Sequence, residues 1–523
     1  MHTVQTPGVY INDADGFQSS IVGVETAVPA FVGYTEKASC AGKPTTNAAL
    51  RIESMAEFEA CFGGPPAGLY FLSAEAPGAG ETAVAELRFG AESYWLARRG
   101  RARFSLYDCV RHFYANGGAS AYIVSCASYG GGGPAYPLDA DLLMGGLAAL
   151  EREPAPAMLV VPEAAWLDAG GYAAAVGAML DQCARLQDRV ALIDVRGGDD
   201  PDFDFDGHPN AIDAFRATIA ALPGGRDYGA AYFPFLVTDM VRPEEIGMSA
   251  FDPARLDTLK AALTAAADAS PTGAAAAAEW IEAIGTSQPN PAPGAPPLPA
   301  GTLDDSRLRN ALVAAVPEMG QVLAAMAEAR NSLPPSAAVA GAYAQTDISI
   351  GPWKAPDRSL ASVVEPVVRI DDRNLEGMNV DADGLAINAI RSFVDRGAQV
   401  WGARTLDGNS QDWRYLSVRR TAIYIEQSIK EGLRMFVFAP NAAETWAAAV
   451  SAVQRFLHDL WAAGGLQGAT PDDAYSVAGG LGTTMTGQDV IDGVMRVTVH
   501  VAMLHPAEFI ALTVSQQQQL SEA

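Results

Sequence analysis

The clearest pattern in the chain is an alternation of short apolar runs and longer helical periods between Tyr122 and Thr238. Strand-like runs at Tyr122 to Cys126, Met158 to Val161, Val190 to Val195 and Ala231 to Val237 alternate with helix-like segments at Leu138 to Glu151, Tyr172 to Leu186 and Ala211 to Leu222. Continuous apolar strands separated by helices predict a mostly parallel sheet covered on both faces. Upstream, residues 1 to 34 carry two isolated strand-like runs, Ile21 to Thr26 and Ala30 to Tyr34, with no helix of their own to pack against.

The last third has a different rhythm. The spacing of Ile387, Ile390 and Val394 predicts a helix over Leu385 to Arg396, stopped by Gly397. Two short strands are predicted at Gln399 to Leu406 and Tyr415 to Val418, and a second helix from Arg419 to Glu431 turns Ile425, Ile429 and Leu433 inward. Met435 to Ala439 reads as a buried strand. Asn441 and Glu444 read as an N-cap pair ahead of a long helix whose inner face holds Trp446, Val450, Val453, Leu457, Leu460 and Trp461. Thr486 and Asp489 form a further capping pair. Strands at Val494 to Met503 and Glu508 to Val514, separated by a turn at His505-Pro506, close the chain.

Two stretches break these patterns. Gly63 to Arg103 falls outside every segment that carries the family resemblance given below, as does Arg242 to Pro334, which is Ala-rich helix split at Gln288 to Gly301 by prolines that favour an extended, stiff linker. Both read as insertions, the second at the surface and without a core.

Length changes the picture first: 523 residues suffice for three or four domains, each with its own core. No stretch of eighteen uncharged apolar residues exists, and Met1 to Asp13 lacks the basic start and apolar core of a signal peptide, which predicts a cytoplasmic chain with no membrane insertion. Cys40, Cys61, Cys109, Cys126 and Cys183 show no C-x-x-C spacing and are expected as reduced, buried thiols. A net charge of −26 argues against a nucleic-acid partner, because phosphate binding needs clustered cations. The one basic cluster, Arg98, Arg99, Arg101 and Arg103, is expected as a solvated face or a contact with an acidic neighbour. From Arg358 to Arg434 eleven basic residues balance eleven acidic ones, a neutral module suited to close packing of copies.

Candidate chemistry is sparse. The alternating middle is a sheet type that often binds nucleotides, yet it has no G-x-x-x-x-G-K-[ST] and no G-x-G-x-x-G after a strand. Gly479-Gly480-Leu481-Gly482 imitates a phosphate loop without its lysine. The six histidines form no H-E-x-x-H, and His500 with His505 would need further ligands to share a metal. Asp202, Asp204 and Asp206, then Gly207 and Asp213, copy the spacing of a calcium loop. Against calcium stand a preceding strand, Pro209 after the turn and an Asp where a bidentate Glu is usual, so the plainer reading is a solvated acidic loop.

The chain resembles the contractile tail sheath family of phages and phage-tail-like injection systems. The resemblance is carried by Ile387-Asn388-Ala389-Ile390-Arg391, Val400-Trp401-Gly402-Ala403-Arg404-Thr405-Leu406, Trp413-Arg414-Tyr415, Phe438-Ala439-Pro440-Asn441 with Trp446, Gly482-Thr483-Thr484-Met485-Thr486 and Pro506-Ala507-Glu508-Phe509. It extends to Thr6-Pro7-Gly8-Val9-Tyr10, Ala30-Phe31-Val32-Gly33, Phe113 to Gly118, Leu159 to Glu163, Val190 to Asp194 and Tyr228 to Tyr232. It implies an α/β protein: an α+β inner domain built from the N-terminal segment and the C-terminal third, and an outer α/β domain with a mostly parallel sheet and an inserted helical segment.

The expected divisions are 1–34 for an N-terminal arm and inner-domain strands, 35–105 for an outer segment with an insertion, and 106–241 for the outer α/β domain. An Ala/Pro-rich insertion, 242–334, a connector, 335–358, and the inner domain with its C-terminal arm, 359–523, follow. The implied function is structural, without catalytic residues or a cofactor: a homo-oligomer of stacked six-fold rings around a tail tube protein, meeting baseplate and terminator proteins. Such a sheath contracts to drive the tube into a target, assembling in the cytoplasm as part of a phage tail or a released injection particle. Subunits in that family are linked by strands lent to neighbours. The isolated runs Ile21, Val22, Gly23, Val24, Glu25, Thr26 and Phe509, Ile510, Ala511, Leu512, Thr513, Val514 are the candidates here, because a strand with an unpaired edge must find a sheet. The alternative is an α/β enzyme with a nucleotide or small-molecule site in the middle domain.

Overall fold

The computed structural model describes residues 21–67, 69–100, 103–129, 138–269, 274–290 and 297–508. Two compact units divide the described residues, one of 21–24 with Thr421–Leu504 and one of Glu25–Arg420 with 505–508. The boundary expected near 359 therefore falls later, inside the helix Leu416–Leu433.

The larger unit is built on an eight-stranded sheet. Its strands run in the order Gly397–Trp401, Ile387–Phe393, Gly229–Phe233, Val190–Asp194, Met158–Val160, Pro29–Thr35, Ala121–Ser128 and Leu50–Ile52. The six inner strands are parallel, and an antiparallel strand closes each edge. The helices Ala140–Ala149, Ala169–Leu186 and Ala211–Ala221 lie where the alternation predicts them. Every residue of Val190–Asp194 and Gly229–Phe233 is buried, as strands covered on both faces must be. Pro29–Thr35 sits in the middle of this sheet, so the N-terminal strand belongs to the larger unit and not to a separate inner domain.

Ile387–Phe393 is a strand, not the predicted helix. Its first four residues are all buried and Val394, placed on the predicted inner face, is 91% exposed. A short apolar run is ambiguous by period alone, and the hairpin turn that follows, with Asp395 and Gly397 at positive φ, decides it. Tyr415 makes only an isolated bridge to Arg404, and helix, not strand, begins at Leu416. The predicted buried strand at Met435 to Ala439 is a 3₁₀ turn, Arg434–Phe436, followed by an exposed Val437 and a fully exposed Phe438 at φ 70°.

In the smaller unit the helix Ala443–Ala462 buries Ala449, Ala452, Val453, Phe456, Leu457 and Leu460 along one stripe. Its N-cap is Ala442, without a side-chain bond, because the Asn441 carboxamide oxygen accepts the Trp446 indole N–H at 2.7 Å instead. The Thr486 and Asp489 capping box is present as predicted.

The two insertions form one module. The antiparallel sheet Tyr70–Ser73, Glu92–Arg99 and Glu81–Phe89 is tied to the second insertion by the Leu69 N–H to Ala250 O and Asp252 N–H to Tyr70 O bonds, 3.0 and 2.7 Å. Arg99 pairs with Asp252 and Arg255 with Glu81, each at 2.6 Å. The helices Leu256–Asp268, Asp305–Ala315 and Glu318–Asn331 bury Leu259, Leu263, Leu308, Leu312, Met319 and Met326, so this segment has a core.

Cys40 and Cys61 form a disulfide, which corrects the expectation of five free thiols; Cys109, Cys126 and Cys183 are free and buried. Among the described residues no helix is long and apolar enough to cross a membrane.

Candidate assembly site

The smaller unit contains a sheet of only two strands. Tyr475–Gly479 runs antiparallel to Val497–Val501, in register from Tyr475 opposite Val501 to Gly479 opposite Val497. Among the described residues no third strand joins either side. Each outer edge therefore offers a row of backbone donors and acceptors to whatever strand arrives. The pair is nonetheless held in shape. The helix Ala443–Ala462 packs so closely behind it that a side chain at Gly479 would meet Val450, and the Ala502 N–H donates to Ala474 O at 2.8 Å beyond the last pair.

The connection between the two strands is stapled by polar groups. Thr484 Oγ1 donates to Arg496 O at 2.7 Å, and Arg496 pairs with Asp489 at 3.0 Å. The Thr486 backbone and hydroxyl donors, then Arg496, hold the Asp489 carboxyl down to about 2. Gly479-Gly480-Leu481-Gly482 is the turn leaving the first strand, with Gly480 N–H on Thr484 Oγ1 and Gly482 N–H on Met485 O.

Among the described residues Ile21 to Thr26 pairs with no strand of its own chain and is tied down point by point. Ile21 is buried against Gly432, where any side chain would collide with it; Gly23 meets Tyr424 in the same way; the Val24 N–H donates to Ser428 Oγ at 3.0 Å. Glu25 takes a two-pronged bond from Arg51 at 2.9 and 3.1 Å, and Thr26 O accepts Arg420 at 3.1 Å. Val22, 80% exposed, is left outward.

The other candidates, Phe509, Ile510, Ala511, Leu512, Thr513 and Val514, lie outside the described residues. Their root is firmly placed. Glu508 receives Arg404 Nη2 at 2.6 Å and Nε at 2.8 Å, and the Tyr415 hydroxyl at 3.1 Å. Burial alone would raise the Glu508 carboxyl, but the Arg404 bonds bring it below its ordinary value.

Arg404 is positioned in turn by Asn388, whose side chain accepts the Arg404 N–H and donates to its carbonyl, both at 2.8 Å, while also donating to Ala231 O. The rest of the Val400 to Arg420 block follows the same logic. Arg419 pairs with Asp227 and stacks on Trp413 and Tyr228, 3.5 and 4.3 Å from their ring centroids. Arg420 and Asp347 are 3% and 1% exposed, bonded at 3.0 Å, with Tyr343 beneath the guanidinium. The balanced charges of this block are spent largely inside the subunit. Sequence reasoning missed the strand Tyr475–Gly479 and the role of Glu508. A weak alternation at Tyr475 and Val477, bounded by Pro471 and Gly479, was the one available signal for the strand.

The four aspartates of the calcium spacing are not brought together. Asp204 and Asp200 bond the nearby backbone N–H groups of Asp206 and Asp202, and Asp206 lies 3.5 Å from Arg373. Asp213 is occupied by the capping box of the helix Ala211–Ala221 and by His208 Nδ1 at 2.6 Å, which lowers the Asp213 pKa and raises that of His208. Among the described residues no group of three or more His, Cys, Asp or Glu is placed to hold a metal.

The carboxyl ends of the parallel strands, where a doubly wound sheet holds its ligands, are filled by the protein itself. Asp194 accepts the Ser336 N–H at 2.7 Å and its hydroxyl at 2.6 Å, and Glu163 accepts the Leu106 N–H at 2.9 Å. Burial raises Asp194 to about 7 and Glu163 to about 8.

Residues 409–517 match the model of the phage tail sheath C-terminal domain, a span that includes the two-stranded sheet. No curated protein matches the chain. Among solved structures, the anti-feeding prophage (AFP) baseplate in its contracted state contains a chain 22% identical, with a TM-score of 0.60 over 98% of this chain and 99% of that one. The AFP helical sheath in its contracted state is 24% identical, with a TM-score of 0.57 over 98% and 100%. The sheath complex of PVC, an extracellular contractile injection system, in its contracted state is 23% identical, with a TM-score of 0.55 over 99% of each chain. The fold of these chains is the fold found here.

Proposed function

We infer that this chain belongs to the contractile tail sheath family and acts as a sheath subunit, a structural protein whose copies are joined by strands passed from one to the next. The observation that carries this reading is the two-stranded sheet of Tyr475–Gly479 and Val497–Val501, shaped by its own polar staples and joined on neither side by another strand among the described residues. It lies within the block that matches the sheath domain model, in a chain that has the sheath fold over nearly its full length.

The partners are further copies of the chain in stacked six-fold rings, a tube inside them, and baseplate and terminator proteins at the ends. Assembly takes place in the cytoplasm, and contraction of the lattice drives the tube. Each backbone hydrogen bond added at an edge nets about 0.5–1.5 kcal/mol, so one strand binds weakly while a lattice of them holds. The Arg404 grip on Glu508 supports a load-bearing role for the segment beyond it, since a lent strand transmits force only if its root is fixed. Asp194 and Glu163, bonded internally at the strand ends, support a structural role over an enzymatic one.

The test is removal of residues 509–523 from the full chain. The subunit is expected to stay soluble and folded by circular dichroism and to form no long tubes by electron microscopy; tubes of normal length would refute strand lending.

A further inference from the structure

Of the basic cluster expected as a solvated face or a contact with an acidic neighbour, Arg99 makes the acidic contact, Arg101 lies outside the described residues, and Arg98 is neither solvated nor so paired. Arg99 is spent on Asp252. Arg98 is only 8% exposed and, among the described residues, has neither an ion pair nor a side-chain hydrogen bond. It lines a cavity together with Arg103, Arg330, Ser105 and Tyr70, beneath the antiparallel sheet of the inserted module. Arg103 lies over the Trp166 ring, 4.7 Å from its centroid, and among the described residues pairs with no carboxylate. Among the described residues the Ser105 hydroxyl is buried without a hydrogen-bond partner, beside the Cys109 thiol.

The cavity holds more positive than negative charge. Asp108 is the one acid in its lining, and it is already bound by Arg330 through contacts of 2.8, 3.0 and 3.1 Å, with Arg111 at 3.9 Å. Asp199 acts on Arg98 and Arg103 only at a distance. Burial, then the neighbouring Arg103, pushes Arg98 down to about 10, still charged at neutral pH. A guanidinium out of water with no counter-charge is strongly unfavourable. The N-terminus of the helix Leu106–Ala115 cannot relieve it, because backbone N–H groups are donors and the positive end of a helix adds to the positive potential.

We propose that this cavity is an oxyanion site, in which Arg98 and Arg103, backed by Arg330 and the Ser105 hydroxyl, hold a small tetrahedral anion of the phosphate class. Guanidinium forks match such oxygens two at a time, and a hydroxyl supplies the remaining donor. A site of this kind would clamp Arg98 of the first insertion and Arg330 of the second on one ion, locking the inserted module against the main sheet's flanking helix Leu106–Ala115 within the same unit.

The experiment is a thermal melt of the full chain titrated with potassium phosphate, against potassium chloride at matched ionic strength. A ligand that binds only the folded state raises Tm with concentration. The expected result is a phosphate-specific rise of several degrees that is lost in Arg98→Leu, with Arg98→Leu in chloride melting no lower than the parent because it removes an uncompensated cation. Should Arg98→Leu fail to fold, Arg103→Met gives the same reading. No rise beyond that in chloride, or an equal rise in parent and variant, overturns the site. An equal rise in potassium acetate would overturn the tetrahedral assignment in favour of a carboxylate.

Discussion

The eight-stranded sheet and the two-stranded sheet of this chain solve the same problem in opposite ways. In the first, six parallel strands are buried on both faces and an antiparallel strand closes each edge, so the backbone is paired within the subunit. In the second, no strand among the described residues covers either edge, and the exposure of Val497–Val501 alternates, as in a sheet half in solvent. Two strands alone are marginal in water, and here a packed helix and a stapled connection keep them ready. On the proposed reading, the contrast separates what makes the subunit stable from what makes it assemble. Mutations can therefore damage one without the other.

The largest stability loss is expected at Arg420. Replacing it with Ala leaves Asp347, 1% exposed, as an uncompensated buried charge, and breaking a buried pair costs about 3–5 kcal/mol. Chemical denaturation should show that loss, and the doubly neutral Arg420→Met, Asp347→Leu variant should recover much of it. If Arg420→Ala unfolds at the parent's midpoint, the larger unit does not depend on this pair.

The open sheet predicts the reverse outcome. Successive residues of an antiparallel strand alternate between pairing inward and pointing their N–H outward. Of Thr498→Pro and Val499→Pro, one removes an N–H from the pair with Tyr475–Gly479 and the other an N–H from the open edge. The edge variant should stay folded by circular dichroism yet form no tubes, while the inward variant should lower stability as well. Two folded variants that both polymerise normally would show that this edge is not used in assembly.

The same contrast explains what could be read in the sequence. The parallel core was legible because its signal is redundant: Val190–Asp194 is apolar throughout, flanked by helices with their own period, and each element confirms the next. Asp194 and Glu163 at its strand ends could not be assigned roles, since their partners Ser336 and Leu106 lie 142 and 57 residues away. Ile387–Phe393 was misread because three apolar residues at helical spacing also fit a strand buried on both faces. Tyr475–Gly479 escaped because five residues, none of them buried and the last a Gly, carry almost no period. The insertions concealed their core because it joins a sheet from the first to helices of the second, far apart in the chain. What the sequence did show of the assembly site was its surroundings, the Thr486 capping box and the 443–462 helix.

Acid and base should act mainly on the larger unit. Glu163 and Asp194 have folded pKa values of about 8 and about 7, raised above their ordinary values by burial. The native state thus keeps protons that the unfolded chain releases, and the stability they contribute is present below about pH 4 and declines as pH rises through about 7 to 8. Glu508 works the other way: its lowered pKa gives stability that is lost as pH falls through the acid range. Urea midpoints should therefore fall between pH 5 and pH 8. Glu163→Gln, which keeps an acceptor for Leu106 N–H, should flatten that slope. A parent midpoint that rises over this range would contradict the assignment.

The smallest effect is expected at the acidic loop, which belongs to neither pattern. Asp204 serves only a local turn through the Asp206 N–H, and surface substitutions of this kind usually change stability by less than about 0.5 kcal/mol. Calcium would need Asp213 as a fourth carboxylate, yet Asp213 already accepts the Asn210 N–H at 3.0 Å and His208 at 2.6 Å. Recruiting it would break the cap of the Ala211–Ala221 helix, which costs about 1 kcal/mol before any metal bond is made. Millimolar calcium should therefore leave the melting temperature of the parent and of Asp204→Ala unchanged. A calcium-dependent rise in the parent that disappears in Asp204→Ala would show that the loop rearranges around a cation.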